Sequence, residues 1–516
     1  MSRIIREMAR TMPDGLALAD ERMSLTWAEV ERELDRATRA LSGLDLGPDE
    51  RVAVFARNCA ENVLVYQAAL HAGISSVPVS AQFTADEVAY ILKNSRSRVI
   101  FAGPETAEMA VAAAKRVGTP QVIAWRTGPG VGTQDWAEFL KSPGKGGVPV
   151  DIVPRPQLHY TSGTTGRPKG VETPPALFPA DGGLDNFFEA IRNSGRVVGD
   201  PAIALIVSPM HHTGPLISVR ALGAGLALVV MSKFDAEAVL KTIETQKIST
   251  VLMVPTHFTR LLALPDEVCG KYDLSSLEEV LHTGAPCPRD VKRKMIDWFG
   301  PILFEAYGAT ESGTTNMISS SEWLERPGSV GKTIPPFEPI VLDESGEPLG
   351  TNEVGVLYFR DTSGRGVIYH QDAEKTRSVH HAPGVFTLGD MGYVDDEGYV
   401  FITDRISDMI ISGGVNIYPA EVEEVLGSHP LVDDVAVIGT PNDEMGEEVK
   451  ALVVPLDPEN PPDADALEKF CRERLAGYKR PRSIDIVETI GRNALGKINK
   501  RELRKKYWPD DRTIGG

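Results

Sequence analysis

Apolar positions along this chain follow two alternating rhythms, one with a helical period and one of short continuous runs. Val30, Leu34, Ala37 and Leu41 fall on one helical face behind Thr26-Trp-Ala-Glu29, which has the form of a capping box, and Gly43 ends the pattern. Residues 51–55 (Arg-Val-Ala-Val-Phe) then read as a buried strand, 62–71 as a helix and 73–79 as a return to strand. Further short strands are predicted at 98–101, 121–125, 202–207, 249–254 and 279–281. Strand alternating with helix in this way predicts an α/β fold whose sheets are mainly parallel and flanked by helices. Residues 128–149, rich in glycine and proline, are expected to form a surface loop.

The texture changes at about 335–402 to short β-type runs divided by Gly/Asp turns, such as 354–359 and 393–402. A new unit is expected after Asp404. Its pattern predicts a turn at Ser412-Gly-Gly-Val-Asn, a helix over 419–426, strands at 434–439 and 449–455, and an amphipathic helix over 463–476. The expected organisation is therefore a large N-terminal domain, residues 1–404, that includes a β-rich subdomain, followed by a small mobile α+β C-terminal domain, residues 405–516.

A chain of 516 residues with 42% hydrophobic and 24% charged content can bury substantial cores in more than one domain. The net charge of −18 argues against broad contact with nucleic acid or anionic membrane, which need lysine and arginine to neutralise phosphates. The longest apolar stretch, 221–231, is too short to span a bilayer, and the charged start of the chain does not have the form of a secretion signal. Cys59, Cys269, Cys287 and Cys471 form no Cys-x-x-Cys pair, so neither a zinc cluster nor a disulfide framework is suggested, and a reducing, cytoplasmic setting is expected.

The chemistry concentrates first in Tyr160-Thr-Ser-Gly-Thr-Thr-Gly-Arg-Pro-Lys-Gly170. Its glycines let backbone N–H groups approach a ligand, and its hydroxyls and cations offer donors to phosphate oxygens. The Walker pattern cannot be laid on this run, so a different phosphate loop is implied. Further clusters follow: Ser208-Pro-Met-His-His-Thr-Gly-Pro215, His282-Thr-Gly-Ala-Pro286, Tyr307-Gly-Ala-Thr-Glu-Ser312, Thr387-Leu-Gly-Asp390, Thr403-Asp-Arg405 and Leu495-Gly-Lys-Ile-Asn-Lys500. A carboxylate beside a hydroxyl near phosphates suits Mg²⁺, which prefers hard oxygen ligands.

In this order and spacing, from about Leu25 to Arg504, the chain resembles the adenylate-forming superfamily of acyl- and aryl-CoA synthetases, peptide-synthetase adenylation domains and luciferases. The resemblance implies that Thr161, Ser162, Gly163, Thr164, Thr165, Gly166 and Lys169 grip the β- and γ-phosphates of ATP. By the same likeness, Thr310 contacts the α-phosphate and Glu311 is the Mg²⁺ ligand. Gly284, Ala285 and Pro286, with Tyr307, would form the adenine slot. Asp390 would hold the ribose, and Arg405 would reach ribose or phosphate near the domain junction. Lys497 resembles the catalytic lysine of the first half-reaction, and His212 the histidine beside the acyl pocket. Ser407 falls at the hinge position, where the family usually has Lys or Asp. Gly413 and Gly414 fall in the loop that lines the thiol tunnel in the second pose. Leu388 is an extra residue relative to the commoner Thr-Gly-Asp form, and His211 stands where an aromatic residue is frequent.

The resemblance implies an ATP- and Mg²⁺-dependent carboxylic acid–CoA ligase that works through an acyl-adenylate and releases pyrophosphate, then AMP. Small residues near His212, Thr213, Gly214, Gly284, Gly308 and Ala309 suggest a medium- or long-chain, or bulky apolar (fatty, aryl or steroid-type), acid. The expected partners are that acid, ATP and coenzyme A, without nucleic acid, with a homodimer left open. Two alternatives stand beside this reading. One is an adenylation enzyme that loads a separate acyl carrier protein, which CoA-dependent AMP release would separate from it. The other is a non-catalytic nucleotide-binding homologue, against which Glu311, Arg405 and Lys497 together speak.

Overall fold

The structure, a computed structural model, describes residues 1–118, 121–128, 131–142, 152–161, 168–174, 178, 182–413, 415–442, 445–493 and 496–508. Its contacts divide into two compact units. The first comprises Met1–Thr283, Lys294–Thr314 and Arg365–Ser378; the second comprises Gly284–Arg293, Thr315–Gly364 and Val379–Gly516. This division does not fall at 404/405: the antiparallel β-rich residues and the α+β segment after Arg405 share one unit.

In the first unit, two parallel sheets carry the core. One runs in the order Leu303–Ala309, Glu279–Thr283, Thr250–Met253, Ile203–Ile206, Ala227–Val230 and Leu16–Ala19, with Ser24–Thr26 added antiparallel at the end. The other runs Ser76–Val79, Arg51–Phe55, Ser97–Ala102, Gln121–Ala124 and Gln134–Asp135, parallel throughout. Near-continuous apolar runs in these strands, such as Val52 to Phe55, are buried as helix-covered parallel strands require. A separate antiparallel hairpin pairs Leu158–Thr161 with Lys169–Glu172.

The helix Trp27–Ser42 starts at Thr26 with the expected box: the Thr26 hydroxyl accepts from the Glu29 N–H, and the Glu29 carboxylate accepts from the Thr26 N–H. The helix Ala60–His71 begins two residues before the predicted start and is buried on every side, Glu61, Asn62, Gln67 and His71 included. Arg126, whose Nε lies 2.8 Å from Glu61 Oε1, offsets that buried carboxylate. Of the expected loop at 128–149, residues 129–130 and 143–149 lie outside the described residues, and the part between them is not all loop. Asp135 caps a helical turn, Trp136–Phe139, and Trp136 and Phe139 are buried against Phe101. The aromatic anchors outweigh the glycine-rich flanks.

The second unit holds the antiparallel order Phe337–Leu342, Gly355–Asp361, Val385–Val394, Tyr399–Arg405 and Ser329–Thr333. After Arg405 comes a smaller α+β layer. Its strands run Val415–Ile417, Ile410–Ser412, Gly446–Pro455 and Val432–Asn442, with Ser483–Ile486 parallel to Gly446–Pro455. The helices Pro419–Gly427 and Ala464–Arg472 cover it, through a core that includes Val422, Leu426, Leu467 and Cys471. No disulfide is found among the described residues, and no helix among them is long and apolar enough to cross a membrane.

Candidate active site

Thr161 and Lys169, near the two ends of the predicted phosphate-loop motif, are cross-strand partners in the antiparallel hairpin of the first unit. Ser162, Gly163, Thr164, Thr165 and Gly166 lie outside the described residues. The hairpin is widened by residues that the sequence did not single out. Glu172 N–H donates to the Ile368 carbonyl (3.1 Å), His370 N–H donates to the Gly170 carbonyl (2.9 Å), and Val171 and Tyr369 form an antiparallel bridge. Side chains fasten the same seam: Glu172 lies 3.3 Å from His370 Nδ1 and 3.6 Å from Arg365 Nη2. The His370 hydrogen bond, the largest cause, together with the Arg365 charge holds the Glu172 carboxyl below its usual range despite partial burial.

Tyr307, Thr310 and Glu311 come from the end of the strand Leu303–Ala309 and the turn after it. That turn is tight. A Cβ on Gly308 would overlap the Gly313 carbonyl oxygen, so only glycine fits there. Ser312 braces it, accepting from Ala309 N–H at 3.3 Å and donating to the Gly313 carbonyl at 2.9 Å. Thr310 Oγ1 accepts from Thr213 Oγ1 at 3.3 Å. Thr213 opens the helix Thr213–Ala221, whose N-cap is His212. The His211 and His212 rings are 3.9 Å apart, and burial pushes His211 down to about 4, so it is a neutral ring at pH 7. From the other side, the Tyr369 phenol donates to Glu311 Oε1 at 3.1 Å. Burial, then the adjoining Glu311 charge, pushes the Tyr369 phenol above its ordinary range, which keeps it a donor.

The first unit therefore gathers the hairpin bearing Thr161 and Lys169, the Tyr307–Glu311 turn, and His212 with Thr213. No cluster of three or more His, Cys, Asp or Glu occurs among the described residues. One carboxylate beside a threonine hydroxyl fits a magnesium ion that arrives largely ligated by nucleotide phosphates and water.

The remaining candidates belong to the second unit. Asp390 and Arg405 are strand partners, with Arg405 Nε 3.1 Å from Asp390 Oδ1. Gly284, Ala285 and Pro286 follow the strand Glu279–Thr283. Gly413 has φ +57, its N–H donates to the Met445 carbonyl at 2.7 Å, and a side chain there would strike Met445 Cε. Gly414 lies outside the described residues. Lys497 is exposed in a turn that Asn493 closes from both ends, at 3.0 Å each, and that Arg492 braces from Asp434. Ser407 is exposed, but its carbonyl accepts from Arg504 Nη1 at 2.9 Å, and Arg504 Nη2 donates to the Asp408 carbonyl at 2.8 Å. Asp404, just upstream, accepts from Ala420 N–H at 2.9 Å. Burial pushes its carboxyl up to about 6, against the pull of Lys500.

Sequence reasoning missed Tyr369, Glu172, His370 and Arg504. The first three act through a run, Tyr369-His-Gln-Asp372, without glycines or hydroxyls to mark it. Arg504 stands in a basic stretch that reads as a solvated face.

Comparison with known proteins shows the family to which the chain belongs. The family model described as AMP-binding enzyme matches residues 5–367, and that described as AMP-binding enzyme C-terminal domain matches 421–497. The feruloyl-CoA synthase of Amycolatopsis sp is 33% identical, over 97% of this chain and 97% of that protein. The fatty acid–[acyl-carrier-protein] ligase ScoC of Streptomyces coeruleorubidus is 32% identical, over 97% and 95%. Among solved structures, o-succinylbenzoate CoA synthetase (MenE) from Bacillus subtilis, in complex with its acyl-adenylate intermediate, superposes with TM-score 0.80 at 25% identity, over 100% of this chain and 99% of that one. The chain belongs to the AMP-binding enzymes, the adenylate-forming acid–thiol ligases.

Proposed function

We propose that this enzyme joins a carboxylic acid to coenzyme A in two half-reactions. The acid carboxylate attacks the α-phosphorus of ATP, forming an acyl-adenylate as pyrophosphate leaves. The CoA thiol then attacks the acyl carbonyl, giving the thioester and AMP. The observation that carries this reading is the joining of the phosphate-loop hairpin to Glu311 through residues 368–370, with Thr310 and His212 alongside.

The roles follow from donor chemistry. Thr161, Lys169 and the hydroxyl-rich run between them bind the β- and γ-phosphates, and Thr310 donates to the α-phosphate. Fixed donors at that phosphorus lower the barrier, each worth roughly 3–4 kcal/mol. Glu311 would hold Mg²⁺, which supplies charge neutralisation to the departing pyrophosphate. Tyr307 with Gly284, Ala285 and Pro286 receives adenine, and Asp390 receives the ribose hydroxyls. Residues 405–516 move about Ser407 as a body, carrying Lys497 to the carboxylate in the first step and Gly413 and Gly414 to the thiol in the second. The small residues Thr213, Gly214, Gly308 and Ala309 near His212 support a medium- or long-chain, or bulky apolar, acid.

A panel of fatty, aryl and steroid-type acids, assayed for pyrophosphate release and then for CoA-dependent AMP release, tests the reading. Adenylation of an acid without CoA-dependent AMP release, but with transfer to an acyl carrier protein, would establish the second reading, which the 32% likeness to ScoC favours. Lys497→Ala is expected to abolish adenylation and to spare thioester formation from supplied acyl-adenylate.

A further inference from the structure

The partner of Glu311 is a phenol 58 positions away in sequence, and that phenol belongs to the same short segment that pairs with the phosphate-loop hairpin. We propose that Tyr369 is a positioning residue for the metal-facing carboxylate, and that residues 365–376 set the distance between that carboxylate and the phosphate-gripping loop. The inference rests on the reading that Glu311 faces the Mg²⁺ of the nucleotide.

Four contacts fix Tyr369 before it reaches Glu311. Its backbone bridges Val171, and the neighbouring His370 N–H and Ile368 carbonyl bond to Gly170 and Glu172. Its own N–H donates to Thr376 Oγ1 at 3.0 Å. The Lys375 ammonium lies 5.8 Å from its ring centroid. Gly170 leaves no slack in this seam, since a Cβ there would stand 3.0 Å from His370 Cβ. The phenol has one O–H to give, and it gives it to Oε1. That bond fixes the rotation of the carboxylate and leaves its other oxygen to turn elsewhere.

A rotating carboxylate is a poor ligand for magnesium, which demands near-ideal octahedral geometry and takes few protein oxygens. With no group of three or more His, Cys, Asp or Glu placed to hold a metal among the described residues, orientation is not averaged over several acidic ligands. Outer partners that orient metal ligands typically contribute about 10–100-fold to metal affinity. A phenol that merely needed an acceptor would stabilise the fold and leave the metal requirement unmoved.

The test is Tyr369→Phe in the full-length enzyme, which deletes one oxygen. Mn²⁺ is titrated into enzyme bound to α,β-methylene-ATP and followed by electron paramagnetic resonance. In parallel, the Mg²⁺ dependence of pyrophosphate release is measured at fixed ATP. About a tenfold weakening of Mn²⁺ and a similar rise in the Mg²⁺ requirement are expected, with the KM for the acid unchanged. Adding Tyr369→Phe to Glu311→Gln is expected to weaken Mn²⁺ no further. Superposable Mn²⁺ curves for Tyr369→Phe and the parent overturn the proposal, as does a fall in kcat with an unaltered metal requirement. If the phenylalanine variant loses cooperative unfolding, Tyr369→Leu decides by the same titration and the same criteria. If no acid in the panel yields pyrophosphate while Mn²⁺ binding still weakens, the ligase reading fails and this inference stands.

Discussion

Arg405 Nε lies 3.1 Å from Asp390 Oδ1, and the two residues are direct partners on adjacent antiparallel strands. Asp390 is buried and Arg405 is mostly exposed, so the arginine reaches inward to the carboxylate. In the proposed role, ribose hydroxyls at Asp390 would share it with this guanidinium, which would tie nucleotide binding to Arg405. Asp390→Asn removes the charged acceptor. Hydrogen bonds to a charged group contribute about 1.5–3 kcal/mol, so the KM for ATP is expected to rise roughly tenfold or more, and an ATP titration of initial rates checks it.

The bonds from Arg504 to the Ser407 and Asp408 carbonyls would give the proposed hinge a fixed side. Arg504 is 5% exposed, so its two hydrogen bonds are largely shielded from water. Arg504→Met leaves two carbonyls without that donor, with an expected loss of about 2–3 kcal/mol in urea unfolding. Arg504→Lys, which can reach one carbonyl at a time, is expected to recover part of it. Adenylation is expected to fall more than thioester formation from supplied acyl-adenylate, because the same short helix, Lys500–Lys505, follows Lys497 by three residues. Equal losses in the two partial reactions would count against a hinge role.

Gly308→Ala forces a methyl group onto the Gly313 carbonyl. The turn must open, which displaces Tyr307, Thr310 and Glu311 together. Overpacking of this kind costs about 1–3 kcal/mol of stability, and adenylation is expected to be nearly abolished. Gly300→Ala is the control. It also has a left-handed φ, +85, but open space around it. It is expected to lower the melting temperature and to leave the KM for ATP unchanged.

Asp404 and His159 predict opposite pH slopes. Burial raises the Asp404 carboxyl from 3.8 to about 6, so between these values the folded chain holds a proton that the unfolded chain has lost. Stability from this group therefore falls as pH rises from about 4 to 6 and is level above. Lys500, Glu423 and Tyr418 are the charged and titratable neighbours involved. Asp404→Asn lacks the slope, so its stability relative to the parent is expected to improve by up to about 3 kcal/mol between pH 4 and pH 7. His159, on the strand that leads into the phosphate loop, is pushed down to about 3 by burial. The unfolded chain takes up that proton from about 6.5 downward, so stability from His159 is lost as pH falls below 6.5. His159→Gln is expected to flatten that acid limb, as read from urea midpoints at pH 5 and 7.

Much of the scaffold was legible because its signals are local. The Thr26/Glu29 box, the apolar run at 51–55 and the predicted turn at 412–416, where Ser412 and Val415 are antiparallel partners, each depend on residues a few positions apart. The turn Trp136–Phe139 was lost among glycines and prolines, since a single aspartate cap and two aromatic rings carry it. The helix at 60–71 was recognised but not its full burial, because Glu61 is tolerated inside only through Arg126, which lies 65 positions away. The motif residues of the site were visible as types. The bonds that orient them were not: Tyr369 to Glu311 and Arg504 to Ser407 join segments with no shared periodicity.

The clasp on Ser407 and Asp408 has a consequence for how the protein is made and handled. The donor that holds these two carbonyls stands 97 positions beyond Ser407 in the chain. A truncation ahead of position 500 would keep Lys497 and every other residue of the proposed site, yet remove the side chain that donates to both carbonyls.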